Sequence, residues 1–333
     1  MGKAILAIKI VLKKLILKAL AIPVFKHWFG RVIQHYDRTQ IKKEGDVLAG
    51  KQTSRLNFSH YLPDTEARIE RLRRVINGRP VAIILHGPSA RELEARVAEI
   101  KDCDICYFGL NAFRTPEKSI LQKIGRTYSV VMYSAIEYGV DSQINNVIAF
   151  LDRQEDNMFI SERDSFYVLE KNGGFSLDKF IQKYNKKLLF FTGVPTITIT
   201  IESGLFLRTP SLEYPLHFLE QSSFSILLSL ALIGKAPMVV VFGGDGGRIQ
   251  GQELYFRDSA SKLPESVLEQ SLAFDTRVFN MTMPVMLDKI YKMYNLKPVD
   301  IINCSMRSNY TPMRKLSYDD TFALLKSFKA RGR

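Results

Sequence analysis

Cysteine is scarce in this chain, with three residues (Cys103, Cys106 and Cys304) in a total of 333. Three thiols so unevenly placed cannot build a disulfide framework, and a reducing compartment is expected. Histidine is nearly as sparse, and the five present (His27, His35, His60, His86 and His217) show no metal-ligand spacing. Cys103 and Cys106 have redox spacing, but the pair enters a predicted strand instead of opening a helix. No second pair exists to complete a zinc site. The chain also lacks a Gly-x-x-x-x-Gly-Lys-Ser/Thr phosphate loop and a Gly-x-Ser-x-Gly nucleophile elbow. That argues against the common triphosphatase and serine-hydrolase readings. No internal repeat and no low-complexity tract occurs.

What is present is a globular balance of 46% hydrophobic and 24% charged residues, in a chain long enough for one large domain or two small ones. The formal charge of +13 is unevenly spread. Residues 1–43 hold ten Lys or Arg against one acid, Asp37, a net +9, so the other 290 residues carry the remaining +4. The high isoelectric point belongs to an N-terminal arm and not to the body.

Residues 4–22 of that arm read as a helix with two faces. Ile5, Ile8, Val11, Leu12, Leu15, Ile16, Ala19 and Ile22 fall in one apolar arc, with Lys9, Lys13, Lys14 and Lys18 outside it. Pro23 ends the helix. Phe25, Trp28 and Phe29 then interleave with Lys26 and Arg31, which suits the boundary between headgroups and acyl chains. The four lysines argue against a membrane span. They also break the apolar stretch of a secretory signal, although Ala19-Leu20-Ala21 resembles a cleavage site. Leu6 breaks the myristoylation pattern after Met1-Gly2. The expectation is an arm on a membrane surface, with packing against the body, or binding to nucleic acid or a partner, as alternatives. Nucleic acid is not the expected partner. The protein is placed in the cytoplasm, peripheral on the inner face of the cytoplasmic membrane.

Residues 44–78 read as a polar linker followed by a helix at 65–76 that Asn77-Gly78 closes. From 79 to 325, apolar runs recur at Val81–Leu85, Asp104–Phe108, Tyr128–Tyr133, Leu188–Phe191, Met238–Phe242 and Val299–Ile302. Continuous apolar runs are what parallel strands buried on both faces require. Helical segments lie between several of them, at Ala90–Ile100, Ile144–Leu151, Ser223–Ile233 and Thr282–Tyr294. The alternation predicts an α/β fold, a Rossmann-like, doubly wound and mostly parallel sheet. Residues 152–220 alternate less clearly and are read as an insertion over the site, and 326–333 as a basic tail.

Three strand ends carry polar chemistry. Leu85-His86-Gly87-Pro88-Ser89-Ala90 turns from a strand directly into a helix. Ser89 with Glu92 reads as a capping box, and the open backbone at Gly87 beside a helix start reads as a phosphate site. An ordinary strand–turn–helix junction accounts for the same residues. Gly243-Gly244-Asp245-Gly246-Gly247-Arg248 follows the run Met238–Phe242. There Asp245 is a candidate acceptor for a sugar hydroxyl or a metal, and Arg248 for a phosphate, against a flexible turn with a solvated acid. Asn303, Ser305 and Ser308 follow the run Val299–Ile302 and can hydrogen-bond a base or a sugar, or satisfy their own turn. Asn111 is a further polar residue at the end of a strand.

Taken in order, these segments resemble the bacterial sialyltransferase-like and motility-accessory-factor-like glycosyltransferase group, to which the archaeal hydroxymethylpterin pyrophosphokinase family is related. The resemblance rests on Ile83-Ile-Leu-His-Gly-Pro-Ser-Ala90 with Asn111, on Ser222–Gly234 leading to Val239-Val-Val-Phe-Gly-Gly-Asp245, and on Phe274-Asp275 with Ile302–Ser308. It implies that Gly87, Pro88, Ser89 and Asn111 hold the nucleotide of an activated donor, completed by the Gly244-Asp245 turn and residues 303–308. Two positions depart from the group. Ala90 stands where a bulky apolar residue is usual, and no histidine follows His217, whereas the sialyltransferases use a C-terminal histidine base. Asp245 and Asp275 are the substitutes as base, with His217 behind them.

The first functional expectation is a membrane-surface glycosyltransferase with a nucleotide-sugar donor, a CMP-sugar favoured, and a glycan or lipid-linked acceptor. The second is a pyrophosphokinase needing Mg²⁺ and ATP, with Asp245 and Asp275 as carboxylates. A non-catalytic membrane scaffold is the third. No metal site is expected from the spacing of ligand-type residues.

Overall fold

The computed structural model describes residues 65–110, 120–133, 141–153, 156–162, 176–194, 217–219, 223–248 and 265–331. The arm at 1–43, the linker at 44–64 and Asn111 lie outside them. The strands are β1 (Val81–Ile84), β2 (Cys106–Leu110), β3 (Val130–Tyr133), β4 (Met158–Glu162), β5 (Leu188–Val194), β6 (His217–Leu219), β7 (Met238–Phe242), β8 (Asp300–Asn303) and β9 (Arg314–Lys315). The helices are α1 (Thr65–Ile76), α2 (Ala90–Arg96), α3 (Asp141–Arg153), α4 (Leu177–Tyr184), α5 (Ser223–Ile233), α6 (Glu265–Met293) and α7 (Tyr318–Arg331).

The nine strands among the described residues are all parallel and form one sheet in the order β6-β5-β4-β3-β2-β1-β7-β8-β9. The Rossmann-like expectation therefore holds. β1, β2, β3 and β7 are buried along their whole length, because helices cover both faces, and so they read as unbroken apolar runs. The chain winds outward from β1 to β6, then crosses back to place β7 on the other side of β1. That reversal, between β1 and β7, is the topological switch point.

On one face lie α1, α5 and α6, through Leu72, Leu227, Phe279, Met283 and Ile290. On the other lie α2, α3, α4 and α7, through Leu93, Val147, Phe180 and Phe322. α5 is apolar all round, and every residue from Phe224 to Ile233 is buried. It lies between the sheet and α6, the position such a helix demands. Arg68 of α1 is buried and donates to the carbonyls of Asn185 and Leu188, both at 2.7 Å. It thus ties α1 to the start of β5.

Several sequence boundaries need correction. The described part of 152–220 is not an insertion over the site, since β4, α4, β5 and β6 continue the sheet away from the switch point. Residues 326–331 are the last turns of α7 and not a tail. α6 begins at Glu265, well before the predicted Thr282, and runs through Pro284. Proline removes one helical hydrogen bond, but Phe279 and Met283 before it and Met286 and Ile290 after it share one core, which holds the helix together across the break. No helix among the described residues is long and apolar enough to cross a membrane.

Candidate functional site

The two glycine turns read from the sequence stand side by side at the switch point. Leu85 donates its N–H to the carbonyl of Phe242 at 2.8 Å, and Gly87 to that of Gly243 at 3.0 Å. The contact is backbone on backbone, so side chains are excluded. A Cβ on Gly87 would overlap Gly243 O and Asp245 Oδ2, and one on Gly243, whose φ is +69°, would overlap Leu85 O.

Asp245 sits in the middle of this junction and is only 2% exposed. Its Oδ2 accepts the Ser89 N–H at 2.9 Å, and its Oδ1 accepts the Ser305 hydroxyl. Its backbone carbonyl accepts the Asn309 N–H at 2.8 Å. The carboxylate therefore fills the anion position at the start of α2, where the sequence placed a phosphate. A second anion there would meet a buried like charge. With both oxygens engaged and the residue almost wholly buried, Asp245 anchors the junction.

The capping box is also corrected. Ser89 already has helical angles (φ −63°, ψ −15°) and its side chain caps nothing. Its Oγ is buried with no partner among the described residues. The cap comes from Asp245, which the local sequence does not contain. Pro88 is buried in the same turn, and its carbonyl accepts the Arg91 N–H at 3.1 Å.

The third predicted segment closes the network from β8. Asn303 is fully buried, donates from Nδ2 to Gly244 O at 2.7 Å and to Ser308 Oγ at 3.0 Å, and accepts the Ser305 N–H at 3.0 Å. Ser308 Oγ donates to Gly244 O at 2.6 Å and accepts the Tyr310 N–H at 3.0 Å. Gly244 leaves no room for a side chain beside Val241 and Asn303. Asn303, Ser305 and Ser308 thus satisfy the turns around them.

Two residues that carried no sequence signal complete the junction. Lys315 donates to the Ser308 carbonyl at 2.6 Å, and Tyr318 donates to the Ser89 carbonyl at 2.9 Å. Burial first, and then nearby negative groups that include Asp245, raise the Tyr318 phenol well above its ordinary range, so it stays a donor.

Arg248 lies apart from this network, on the rim of a pocket of about 470 Å³ between the Gly246–Arg248 turn and α6. Its Nε pairs with Glu269 Oε1 at 3.3 Å. Thr276, Arg277, Asn280 and Asn309 also line the pocket. The three from α6, Thr276, Arg277 and Asn280, were missed because they belong to no compact motif. Their only signal was a polar stripe along a helix whose first half was not predicted.

Asp275 adjoins Thr276 in α6 but is outside the pocket wall. Burial holds its carboxyl up at about 6. His217 opens β6, the far edge of the sheet. Five strand spacings separate it from β1, roughly 25 Å, so it does not share a site with the switch point. No group of acids, histidines and cysteines among the described residues is arranged to hold a metal ion. No protein-family model, curated protein or solved structure matches the chain.

Proposed function

We propose that the protein is a glycosyltransferase that takes a nucleotide-activated sugar, a CMP-sugar favoured, and modifies a glycan or lipid-linked acceptor at a membrane surface. One observation carries the reading: two glycine turns, after β1 and after β7, meet where the strand order reverses. Ligands of open parallel sheets bind in that crevice, outside the carboxyl ends of the strands. A pocket of about 470 Å³ beside it falls in the range of roughly 300–1,000 Å³ typical of small-molecule sites. The class of donor comes from the family resemblance, and the surface location from the net +9 of residues 1–43.

In this reading the acceptor oxygen forms a bond to the anomeric carbon while the sugar–phosphate bond breaks, and the nucleotide leaves with the bonding pair. The acceptor's proton passes to a carboxylate. The proposed bases are Asp245 and Asp275, the latter next to Thr276 of the pocket wall and with its carboxyl held up at about 6. The test is a thermal-shift screen of the full chain with CMP, UDP, GDP and ATP, each with and without Mg²⁺. A ligand that binds only the folded state raises its melting temperature. Stabilisation by CMP or another sugar-carrier nucleotide is expected. Stabilisation by ATP with Mg²⁺ alone would replace the reading with diphosphoryl transfer, and no response would leave a non-catalytic membrane protein.

A further inference from the structure

Cysteine and methionine are the side chains on which oxidation of a protein is carried at sulfur. Of the three cysteines and ten methionines in this chain, all but Met1 lie among the described residues. Packing takes most of them out of contact with water. Cys103, Cys106 and Cys304 are free and buried, which keeps them from the thiolate form that oxidants attack. Met132, Met158, Met238, Met283, Met286 and Met313 are exposed by 5% or less. Met281 and Met293 are half-buried. Met306 stands apart at 58% exposed, and no other large hydrophobic side chain among the described residues is exposed.

We propose that Met306 is an oxidation site, whose thioether takes one oxygen atom from a hydroperoxide while the fold stays intact. A lone pair of the sulfur forms the S–O bond as the peroxide O–O bond breaks. The departing oxygen keeps the bonding pair and takes up the proton of the transferred one. With hydrogen peroxide the products are the sulfoxide and water: sulfur gives up two electrons and the peroxide gains them.

The exposure belongs to a built turn. Ser305-Met306-Arg307-Ser308 is closed by the Ser308 N–H, which donates to the Ser305 carbonyl at 3.1 Å, so Met306 and Arg307 occupy the tip and both are exposed. Each end of the turn is tied to the junction beneath it. Ser305 donates its N–H to Asn303 Oδ1 at 3.0 Å and its hydroxyl to Asp245. Ser308 Oγ donates to the Gly244 carbonyl at 2.6 Å, and Lys315 donates to the Ser308 carbonyl at 2.6 Å.

None of these bonds involves the thioether, so its oxidation breaks none of them. A sulfoxide at Met158 or Met283 would instead set a polar group among apolar neighbours in the core. At the tip of the turn the new oxygen meets water. Met306 therefore takes up an oxidising equivalent at a place where packing is not disturbed.

The experiment exposes the full chain and its Met306→Leu variant to dilute hydrogen peroxide at neutral pH. Oxygen uptake at each methionine and cysteine is followed by peptide mass spectrometry, and melting temperature is read afterwards. Met306 is expected to gain one oxygen about tenfold or more faster than the six buried methionines, whose sulfur reacts only when the structure around it opens. In urea, where every side chain is exposed, that difference should vanish. The protein oxidised at Met306 should melt within about 2 °C of the untreated protein, as after other changes at the surface. Met306→Leu keeps the apolar bulk, and should lose the fast uptake and hold its melting temperature.

Uptake at Met306 no faster than at the buried methionines overturns the proposal, as does faster uptake at a cysteine, at Met281 or at Met293. A melting temperature that falls with the Met306 sulfoxide, while peroxide-treated Met306→Leu keeps its own, overturns it as well, because the thioether would then be part of the packing.

Discussion

The backbone N–H of Ser89 and the carboxylate of Asp245 meet at 2.9 Å although 156 residues separate them in sequence. Through this bond the turn after β1 and the turn after β7 become one object. Ser305 takes the other carboxylate oxygen, which brings the end of β8 into the same junction.

Removing that carboxylate should be costly. Asp245→Ala leaves the Ser89 N–H and the Ser305 hydroxyl without their acceptor inside the protein. A loss of about 2–4 kcal/mol in urea-denaturation stability is expected. Asp245→Asn keeps the shape and one acceptor, and should lose about 1–2 kcal/mol. Equal stability of all three proteins would show that the junction contributes nothing.

Gly87→Ala and Gly78→Ala separate crowding from backbone strain. At Gly87 the added methyl overlaps Gly243 O and Asp245 Oδ2, and overpacking against backbone should cost about 1–3 kcal/mol. At Gly78 there is nothing within 4 Å and only the φ of +67° opposes the change, so about 1 kcal/mol is expected. Chemical denaturation of the two variants checks the order. Only Gly87→Ala should also disturb ligand response.

Asp275 gives a pH signature. Burial raises its carboxyl from 3.8 to about 6, so the folded state holds this proton more tightly than the unfolded one. The contribution to stability is full below about pH 4, is lost as pH rises through about 6, and is absent above. Asp275→Asn should therefore be more stable than the wild type above about pH 6, by about 1 kcal/mol once solvent screening of a partly exposed group is allowed for. It should show no such gain near pH 4. In the transferase reading the same variant loses the acidic limb of its pH–rate profile.

The thiols should be silent. All three cysteines are free and buried, and burial pushes Cys106 up to about 11 and Cys304 to about 12. Thiolate is the reactive form, so a thiol reagent at neutral pH should label none in the native protein and all three in denaturant. Rapid labelling of the native protein would contradict the packing of β2 and β8.

Much of the fold was legible because burial leaves a periodic trace. Strands covered on both faces must be apolar throughout, so β1 and β7 stood out in the runs Val81–Leu85 and Met238–Phe242. α5 was apolar on every side, and α1 had a clear end at Asn77-Gly78. β4 and α4 were obscured within a stretch of weak alternation, and the first half of α6 by the polar residues that line the pocket.

The sequence by itself determined the fold class and located the glycine turns on strand ends, since periodicity and glycine content are local properties of the chain. Only the tertiary structure decided what those turns do. Strand order put β7 against β1 and His217 at the far edge. That order then turned Asp245 inward onto Ser89 and left Arg248 and Arg277 on the wall of the pocket. Which groups face each other depends on contacts between distant segments, and no local pattern of residues records them.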